Sequence, residues 1–597
     1  MLHSVKYSPD YFISRSPEII EIARQAKNVD SLRTSLAKLA HEMMFEAFEE
    51  YDAFDAGTIM RVRDCAKVIV RMMTRRSEER AHFSVAEAIR DTALGKSRPD
   101  FTPAFYADLT HLFLGLQGRG PGKAFSDLHL EPSRKKDREA AIERSGQLDE
   151  LYDAVLARTD RSMSGLRDAA VQRRKERRRH ILKILGGTRK DWSDWKWQVR
   201  NIQRDVREIG KLVKLSPDEQ AVIRSARKHK LPFGITPYYL SLMDNDPDPG
   251  RDMAIRAQVI PPKSYVKKTV EADQSGMCRD FMRESDTSPV DLITRRYPSI
   301  CIFKPYNTCP QICVYCQRNW EIDDAMQPGA MASKRKIEAA VDWIRQHPAI
   351  HEVLITGGDP LAMNNRDIER IIAMVADIPS VERIRIGSRT PVTVPMRLND
   401  KLADILAGFR IPGKRQVSLV THIQHPYEVT PDTGEAVERL RQRGISVYNQ
   451  LVYTFYVSRR FEAAYLRRLL GLMGVDPYYT FNSKGKEETT AYRVPIARLL
   501  QEQKEEARLL PGLSRTDEAV FNVPGLGKNY LKANSFRDLI SIYPDGSRLY
   551  EFHPWEKNIT DVMKTHLSTD VPILDYLNRL ASIGEDTGDY DTIWYYY

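Results

Sequence analysis

The sequence predicts an α/β protein, in which a partial barrel of six parallel strands follows a large N-terminal α-helical extension. Three observations support this fold class. The chain has 597 residues, too many for one ordinary domain. Residues 1 to about 185 form amphipathic helical patterns. From about residue 299, short β-branched or apolar runs alternate with amphipathic helical stretches, which is typical of repeated βα units.

The alternating region defines the barrel. The predicted strands are Ser299–Pro305, Glu352–Thr356, Arg383–Gly387, Val417–Thr421, Ser446–Tyr453 and Pro477–Ser483. The predicted helices between them lie near 333–346, 364–377, 400–408, 431–443 and 459–473. After the first interval, strand starts recur about every thirty residues, as expected of βα units. Active sites of such barrels lie at the C-terminal ends of the strands, so we expect functional residues just after each strand.

The domain organisation follows the same patterns. Residues 1–185 form the helical extension, with amphipathic runs at Ser31–Phe54 and Gly57–Arg76 and a Gly/Pro-rich break at Gln117–Gly122. Residues 186–295 form a helical segment leading into the core, residues 296–490 the barrel, and residues 491–597 a C-terminal segment with a glycine-rich lysine loop and a tail.

Composition excludes several classes of protein. Hydrophobic residues are 42% and charged residues 29%, so the chain can bury a core. No stretch approaches ~18 uninterrupted apolar residues and the first residues form no apolar leader, so we expect a cytoplasmic protein without a membrane span. Six cysteines in so long a chain do not form a disulfide scaffold. Three of them fall within eight residues and indicate metal, whereas Cys65, Cys278 and Cys301 have no evident role.

The net charge of +10 raises nucleic acid as a partner. The most basic run, Arg173 to Arg179, has six positive charges and one negative and carries half of the excess. No aromatic residue is interleaved within it for stacking on bases. We therefore favour a solvated helix face over a nucleic-acid site.

A cysteine motif follows the first predicted strand. Cys309, Cys313 and Cys316 have the spacing C-x3-C-x2-C, and three thiolates on one loop can hold three irons of a cubane cluster. With no fourth cysteine nearby, one iron stays open to another ligand. The alternative is a zinc site, but zinc would need a nearby fourth Cys or His, and none follows.

This loop, with Tyr315 before its last cysteine, resembles that of the radical S-adenosylmethionine (SAM) superfamily. Other segments resemble the lysine 2,3-aminomutase family over about residues 189–560. They are Asp191–Asn201, Ile235–Leu240, Gly357–Leu361 (Gly-Gly-Asp-Pro-Leu), Arg385–Pro391 and Thr421–Pro426. The resemblance implies a radical SAM barrel in which the three cysteines ligate a [4Fe–4S] cluster and SAM chelates the fourth iron. It leaves the first 185 residues outside.

The family also implies roles for residues at the strand ends. Gly357, Gly358 and Asp359 match a SAM-contacting turn, where a glycine pair permits close backbone approach and the carboxylate can accept from an ammonium. The other matched positions that face SAM are Ser388, Arg389, His422 and Gln450.

A second cofactor is implied by Phe521–Asn529, which contains Pro-Gly-Leu-Gly before Lys528. The family has a lysine after a similar Pro-Gly run that forms a Schiff base with pyridoxal phosphate (PLP). The family loop commonly has four glycines before this lysine, and here the loop is one residue shorter. Arg296 matches a partner of the PLP phosphate and Tyr297 a residue near the pyridine ring. Arg318 matches the arginine that holds the substrate α-carboxylate, a task suited to a guanidinium.

The substrate prediction rests on two positions. Lysine-specific members have two aspartates around the side-chain ammonium, whereas this chain has Lys484 and Asn522 there. Each like-charge contact at ~4 Å costs on the order of 4 kcal/mol at an effective dielectric near 20, so a lysine substrate should be repelled. Lys484 would attract a side-chain carboxylate and the Asn522 amide could donate to it, and the pair resembles that of glutamate 2,3-aminomutase.

We therefore predict an isomerase, a PLP-dependent radical SAM aminomutase that converts L-glutamate to β-glutamate. Its expected partners are the amino acid, an electron donor such as a ferredoxin or flavodoxin, and further copies of the chain in a homo-oligomer. One alternative is a lysine 2,3-aminomutase. Another is a non-catalytic iron–sulfur protein associated with nucleic acid.

Overall fold

The N-terminal part of the protein is helical, as predicted. The computed structural model describes residues 6–49, 55–121, 130, 133–248, 251–276, 279–482, 487–524, 526–533, 536–554 and 564–597. The N-terminal helices are α1 Pro9–Arg15, α2 Pro17–Gln25, α3 Val29–Glu49, α4 Ala56–Met72, α5 Arg75–Ala81, α6 Val85–Ala93, α7 Pro103–Leu116, α8 Asp137–Thr159 and α9 Asp168–Leu185. The run predicted to end at Arg76 is two helices, because the Thr74 side chain accepts from Ser77 N and starts α5.

Short helices connect this region to the barrel. They are α10 Arg189–Trp192, α11 Trp195–Arg200, α12 Val206–Leu212, α13 Pro217–Lys228, α14 Pro237–Leu240, α15 Met253–Ala257 and α16 Lys263–Gln274. α14 carries the Ile235–Leu240 motif. Its N-cap Thr236 donates through Oγ1 to the Thr393 carbonyl at 2.7 Å, which fixes the motif against the barrel.

The barrel is a nine-stranded sheet in sequential order. Its strands are β1 Ile293–Tyr297, β2 Ile300–Tyr306, β3 Glu352–Gly357, β4 Arg383–Gly387, β5 Gln416–Thr421, β6 Ser446–Tyr453, β7 Val475–Asn482, β8 Glu518–Val523 and β9 Gly527–Tyr530. Strands β2 to β7 are the six predicted strands and they pair in parallel. β8 adds a further parallel strand beside β7, and β1 and β9 are antiparallel edges.

Helices alternate with the strands of the barrel and follow them along the chain. They are α17 Lys334–Arg345, α18 Asn365–Ala376, α19 Thr390–Thr393, α20 Asp400–Gly408, α21 Pro431–Arg441, α22 Glu462–Leu472 and α23 Ile496–Gln501. β2 alternates in burial, so Cys301 and Phe303 join the core, whereas Ile302 and Lys304 lie on the opposite face of the strand. α17 meets the core with Ile337, Val341 and Ile344, which share one helix face.

The C-terminal region packs on the N-terminal helices. It consists of β10 Arg537–Ile542, β11 Arg548–Phe552 and β12 His566–Thr569, which form an antiparallel sheet, and α24 Ile573–Ser582. The fully buried Arg548 of β11 forms a bidentate ion pair with Asp108 of α7, with both N–O distances 2.8 Å. Trp594 stacks on His111 of α7 with ring centroids 4.5 Å apart. The first and last parts of the chain therefore share one core.

The basic run Arg173–Arg179 lies in α9 and is not a fully solvated face. Arg174 and Arg177 are buried and donate to the carbonyls of Gly165 and Leu212. The expectation of a solvated face is wrong for these two residues, because distant backbone acceptors draw them inward. Among the described residues no helix is both long and apolar enough to cross a membrane.

Candidate functional site

Three thiols lie at the C-terminal mouth of the barrel, on the loop that follows β2. Cys309, Cys313 and Cys316 are free and partly exposed. Burial is the largest cause that raises the pKa of the Cys309 and Cys313 thiols, so binding of a metal must release protons from them. Within the described ranges, no three His, Cys, Asp or Glu side chains are grouped closely enough to hold a single metal ion. Three free thiols on one loop fit three corners of an iron–sulfur cluster.

The turn after β3 is clamped onto the cysteine loop. Gly357 has φ +112, and a Cβ on Gly358 would lie 2.2 Å from the carbonyl oxygen of Thr308, next to Cys309. Gly358 N donates to the Tyr306 carbonyl and Asp359 N to the Thr308 carbonyl, both at 2.8 Å. Only glycine permits this approach, so the glycine pair fixes the cysteine loop to the end of the neighbouring strand.

Asp359 is buried and its carboxylate binds the end of β4. Oδ1 accepts from Ser388 Oγ at 2.7 Å, and Oδ2 accepts from the backbone N of Arg389 at 2.9 Å. Burial raises the pKa of this carboxyl, against the hydrogen bonds from Ser388 and its neighbours. The structure thus brings Gly357, Gly358, Asp359, Ser388 and Arg389 together. Asp359 connects the glycine turn after β3 to the residues that follow β4.

Arg389 connects the cysteine loop to the fourth and fifth strand ends. Its Nη1 lies 2.8 Å from Cys313 Sγ, and its Nε donates to the His422 carbonyl at 3.1 Å. Its Nη2 pairs with the buried Glu428 at 2.6 Å, and Glu428 also accepts from Tyr239 Oη at 2.7 Å. A guanidinium at this sulfur would offset thiolate charge in a dry environment.

His422 and Gln450 lie side by side. His422 Nδ1 is 3.1 Å from the Gln450 carbonyl, and since a carbonyl only accepts, Nδ1 carries the proton and Nε2 is left as an acceptor. Burial, with Arg389 as the second cause, lowers the pKa of His422 to about 4. The imidazole is therefore neutral near pH 7.

A second group of predicted residues meets where the two edge strands of the barrel approach. Lys528 Nζ lies 3.4 Å from Tyr297 Oη and over the rings of Tyr297 and Tyr479, at 4.8 and 5.2 Å from their centroids. Lys528 lies on strand β9 rather than in a loop, because β9 forms a hairpin with β8 that pairs it with Asn522. Arg296, next to Tyr297, donates to the Met282 carbonyl.

Arg318 is buried beside the last cysteine and pairs with Glu284, with Nη2 2.7 Å from Oε1. Lys484 lies outside the described residues. Sequence reasoning missed the acidic partners of the two site arginines, Glu428 and Glu284. The available signal was general: a buried arginine requires a carboxylate or carbonyl partner.

The barrel, the three thiols after its first parallel strand and the glycine turn on the next strand define a radical SAM protein. The model of the Radical SAM superfamily matches residues 303–458. An uncharacterized KamA family protein of Methanocaldococcus jannaschii is 41% identical over 603 residues, 97% of this chain and 96% of that protein. The chain therefore belongs to the KamA family.

Two further relatives have named activities. Glutamate 2,3-aminomutase of Clostridioides difficile is 32% identical over 360 residues, 60% of this chain and 80% of that protein. L-lysine 2,3-aminomutase of Bacillus subtilis is 34% identical over 313 residues, 52% of this chain and 62% of that protein. Only the M. jannaschii relative among these three spans nearly the whole chain, so it also shares the N-terminal region.

Proposed function

We propose that the protein is a PLP-dependent radical SAM 2,3-aminomutase that moves the amino group of an L-α-amino acid from C2 to C3. The observation that carries this proposal is the position of Lys528. It lies on the edge strand β9, with its amino group 3.4 Å from Tyr297 on the opposite edge strand. The half-buried Lys528 and the aromatic rings around it lie between the two edge strands of the barrel. They offer a site for a second cofactor beside the SAM and cluster site.

The surroundings of Lys528 fit PLP. Tyr297 and Tyr479 offer aromatic faces within about 5 Å of its ammonium, at distances typical of cation–π contacts. The same faces can pack against a pyridine ring. Arg296, beside Tyr297 on β1, has a guanidinium that can bind the phosphate of PLP. Asn522 is the cross-strand neighbour of Lys528 and has a side-chain amide.

SAM on a reduced cluster would supply hydrogen-atom abstraction, and PLP would supply the carbonyl that holds the migrating nitrogen. The chain positions both. The three cysteines would hold iron, Arg389 would offset charge at Cys313, and neutral His422 keeps an acceptor at Nε2. Arg318, 7% exposed, would bind the substrate α-carboxylate. The buried mouth would exclude water from reactive species.

L-Glutamate is the substrate that the residues favour, with β-glutamate as the product. Asn522 stands where lysine-specific members have a carboxylate, so an ammonium would lose one of its partners there. The second position, Lys484, would add a positive charge that repels lysine and attracts a side-chain carboxylate. The relatives do not choose between the substrates, since the glutamate and lysine enzymes are 32% and 34% identical.

The turnover test uses reconstituted, reduced enzyme with SAM and PLP, incubated separately with L-glutamate and L-lysine. Formation of β-glutamate is expected. Rapid formation of β-lysine, with no turnover of L-glutamate, would reject glutamate as the substrate and favour the alternative, lysine. Failure of both with full cluster and PLP occupancy would reject the aminomutase.

Lys528 can be tested without turnover. Borohydride reduction of the PLP-loaded protein followed by peptide mapping should place the pyridoxyl label on Lys528. The matched control is Lys532, whose side chain is 44% exposed just beyond β9. K528M should lose the label and the PLP absorbance, whereas K532M should keep both. A label on another lysine in the wild type rejects the assignment.

A further inference from the structure

Four charged side chains beside the cysteine loop form a closed ring in which opposite charges alternate. Arg318 Nη2 lies 2.7 Å from Glu284 Oε1, and Lys304 Nζ lies 3.3 Å from Glu284 Oε2. Lys304 Nζ is also 3.6 Å from Glu321 Oε1, and Arg318 Nη1 is 3.8 Å from Glu321 Oε2. All four side chains are at most 18% exposed. Such a ring is electrically neutral and largely removed from solvent.

The two carboxylates of the ring are held differently. Glu284 makes the two short contacts, and its backbone is fixed because its N donates to Asp280 Oδ1 at 2.8 Å. Glu321 makes the two long contacts, both beyond ordinary hydrogen-bond length. As a result, Arg318 Nη1 is enclosed but has no hydrogen-bond partner among the described residues. A buried guanidinium N–H without an acceptor is unfavourable, so this corner of the ring favours a better-placed anion.

Lys304 belongs to the mouth of the barrel. It lies near the end of β2, on the face opposite the core residues Cys301 and Phe303. The Cβ atom of Lys304 lies 3.2 Å from the position that a Cβ atom would take on Gly357, so Lys304 borders the glycine turn. The cysteine loop begins five residues further along the chain at Cys309. The stem of Lys304 therefore borders the glycine turn, and its ammonium reaches the two glutamates that also contact Arg318.

We propose that Lys304 and Arg318 together bind the α-carboxylate of the amino-acid substrate, and that this carboxylate replaces Glu321 in the ring. Glu284 stays in place and positions the two cations. The two oxygens of Glu321 already reach both cations, so a carboxylate of the same size can bridge them. Exchanging one carboxylate for another keeps the ring neutral, which avoids burying an uncompensated charge. This inference rests on the proposed function, because it requires an amino acid in the barrel mouth.

The test measures binding of L-glutamate, L-lysine and L-alanine to protein that holds both PLP and the reconstituted cluster, under anaerobic conditions and without SAM, by calorimetry and by the change in PLP absorbance. K304M should weaken binding of each amino acid that the wild type binds by a similar factor, about tenfold, which corresponds to 1.4 kcal/mol. K304R keeps the cation and should stay within about threefold of the wild type. The control K334M removes a lysine that is 77% exposed on α17 and should change nothing.

The two glutamates should respond in opposite directions. E321Q removes the competing carboxylate and should tighten amino-acid binding, whereas E284Q releases Arg318 and Lys304 and should weaken it. Unchanged affinity in K304M, a loss confined to glutamate, or weaker binding in E321Q would each overturn the inference. In those cases wild-type binding of amino acids would leave the proposed function standing. A wild type that takes up PLP but binds none of the three amino acids would reject both.

Discussion

The contact between Gly358 and the cysteine loop predicts that a single methyl group will disrupt the cluster site. In G358A the added Cβ would stand 2.2 Å from the carbonyl oxygen and 2.3 Å from the backbone nitrogen of Thr308. Ordinary contact needs about 3.5 Å, so the turn and the loop must separate by more than about 1 Å. That movement breaks the two 2.8 Å hydrogen bonds from Gly358 N and Asp359 N, at a cost of about 2 kcal/mol in total.

We expect G358A to bind less than half of the wild-type iron and sulfide after anaerobic reconstitution, measured by chemical analysis and by the cluster absorbance. The matched control is G210A, in the interior of α12, where a Cβ meets nothing within 4 Å. That variant should load iron normally and unfold at the same or slightly higher denaturant concentration, because alanine favours the helix by up to about 1 kcal/mol. Normal iron content and unchanged stability in G358A would refute the reasoning.

Two further predictions concern buried charges. Burial opposes ionisation of Glu462, but Arg459 at 2.7 Å and His425 at 3.0 Å lower its pKa to about 2. A carboxylate with a depressed pKa stabilises the fold above pH about 4.5, and this stabilisation is lost as the pH falls toward 2. E462Q should therefore lower the free energy of unfolding at pH 7 by about 3 kcal/mol, and the difference from the wild type should shrink in acid. A difference that is independent of pH in thermal scans would contradict this. R548M leaves the fully buried Asp108 without its bidentate partner and should lower the free energy of unfolding in guanidinium by about 3–5 kcal/mol. The double variant R548M/D108L should recover a part of this loss. Equal stability of R548M and the wild type would exclude a structural role for the ion pair.

The strands of the barrel were predictable because they are local patterns. β4 and β6 have the predicted bounds, since each is a short alternating or apolar run between turn residues. β8 and β9 were not predicted. Each is short, and their hairpin contains the Pro-Gly run that indicated a loop. Pairing of β8 with β7 is a tertiary contact that overrides this local signal.

The site could be predicted in position but not in its connections. The family resemblance placed Asp359, Ser388, Arg389, His422 and Gln450 in one site, although Gln450 lies within β6 and not at its end. It did not reveal that Asp359 binds Ser388 and the Arg389 backbone, or that Glu428 and Glu284 pair with the two arginines. These contacts join residues that are about 30 to 40 positions apart in the sequence, so no local motif predicts them. The same reason explains Arg174 and Arg177, whose acceptors are backbone carbonyls.

The shared core of the two chain ends dictates an order of assembly. Arg548 donates to the carbonyls of Trp594 and Tyr596, and Trp594 stacks on His111, which is synthesised nearly five hundred residues earlier. The N-terminal helices therefore leave the ribosome long before their last packing partners exist. The cylinder of strands between them can close first, and the helical layer is completed only after Trp594 has emerged from the ribosome. Stability of the N-terminal helices thus depends on residues that are synthesised late, up to Tyr596, and not on the helices alone.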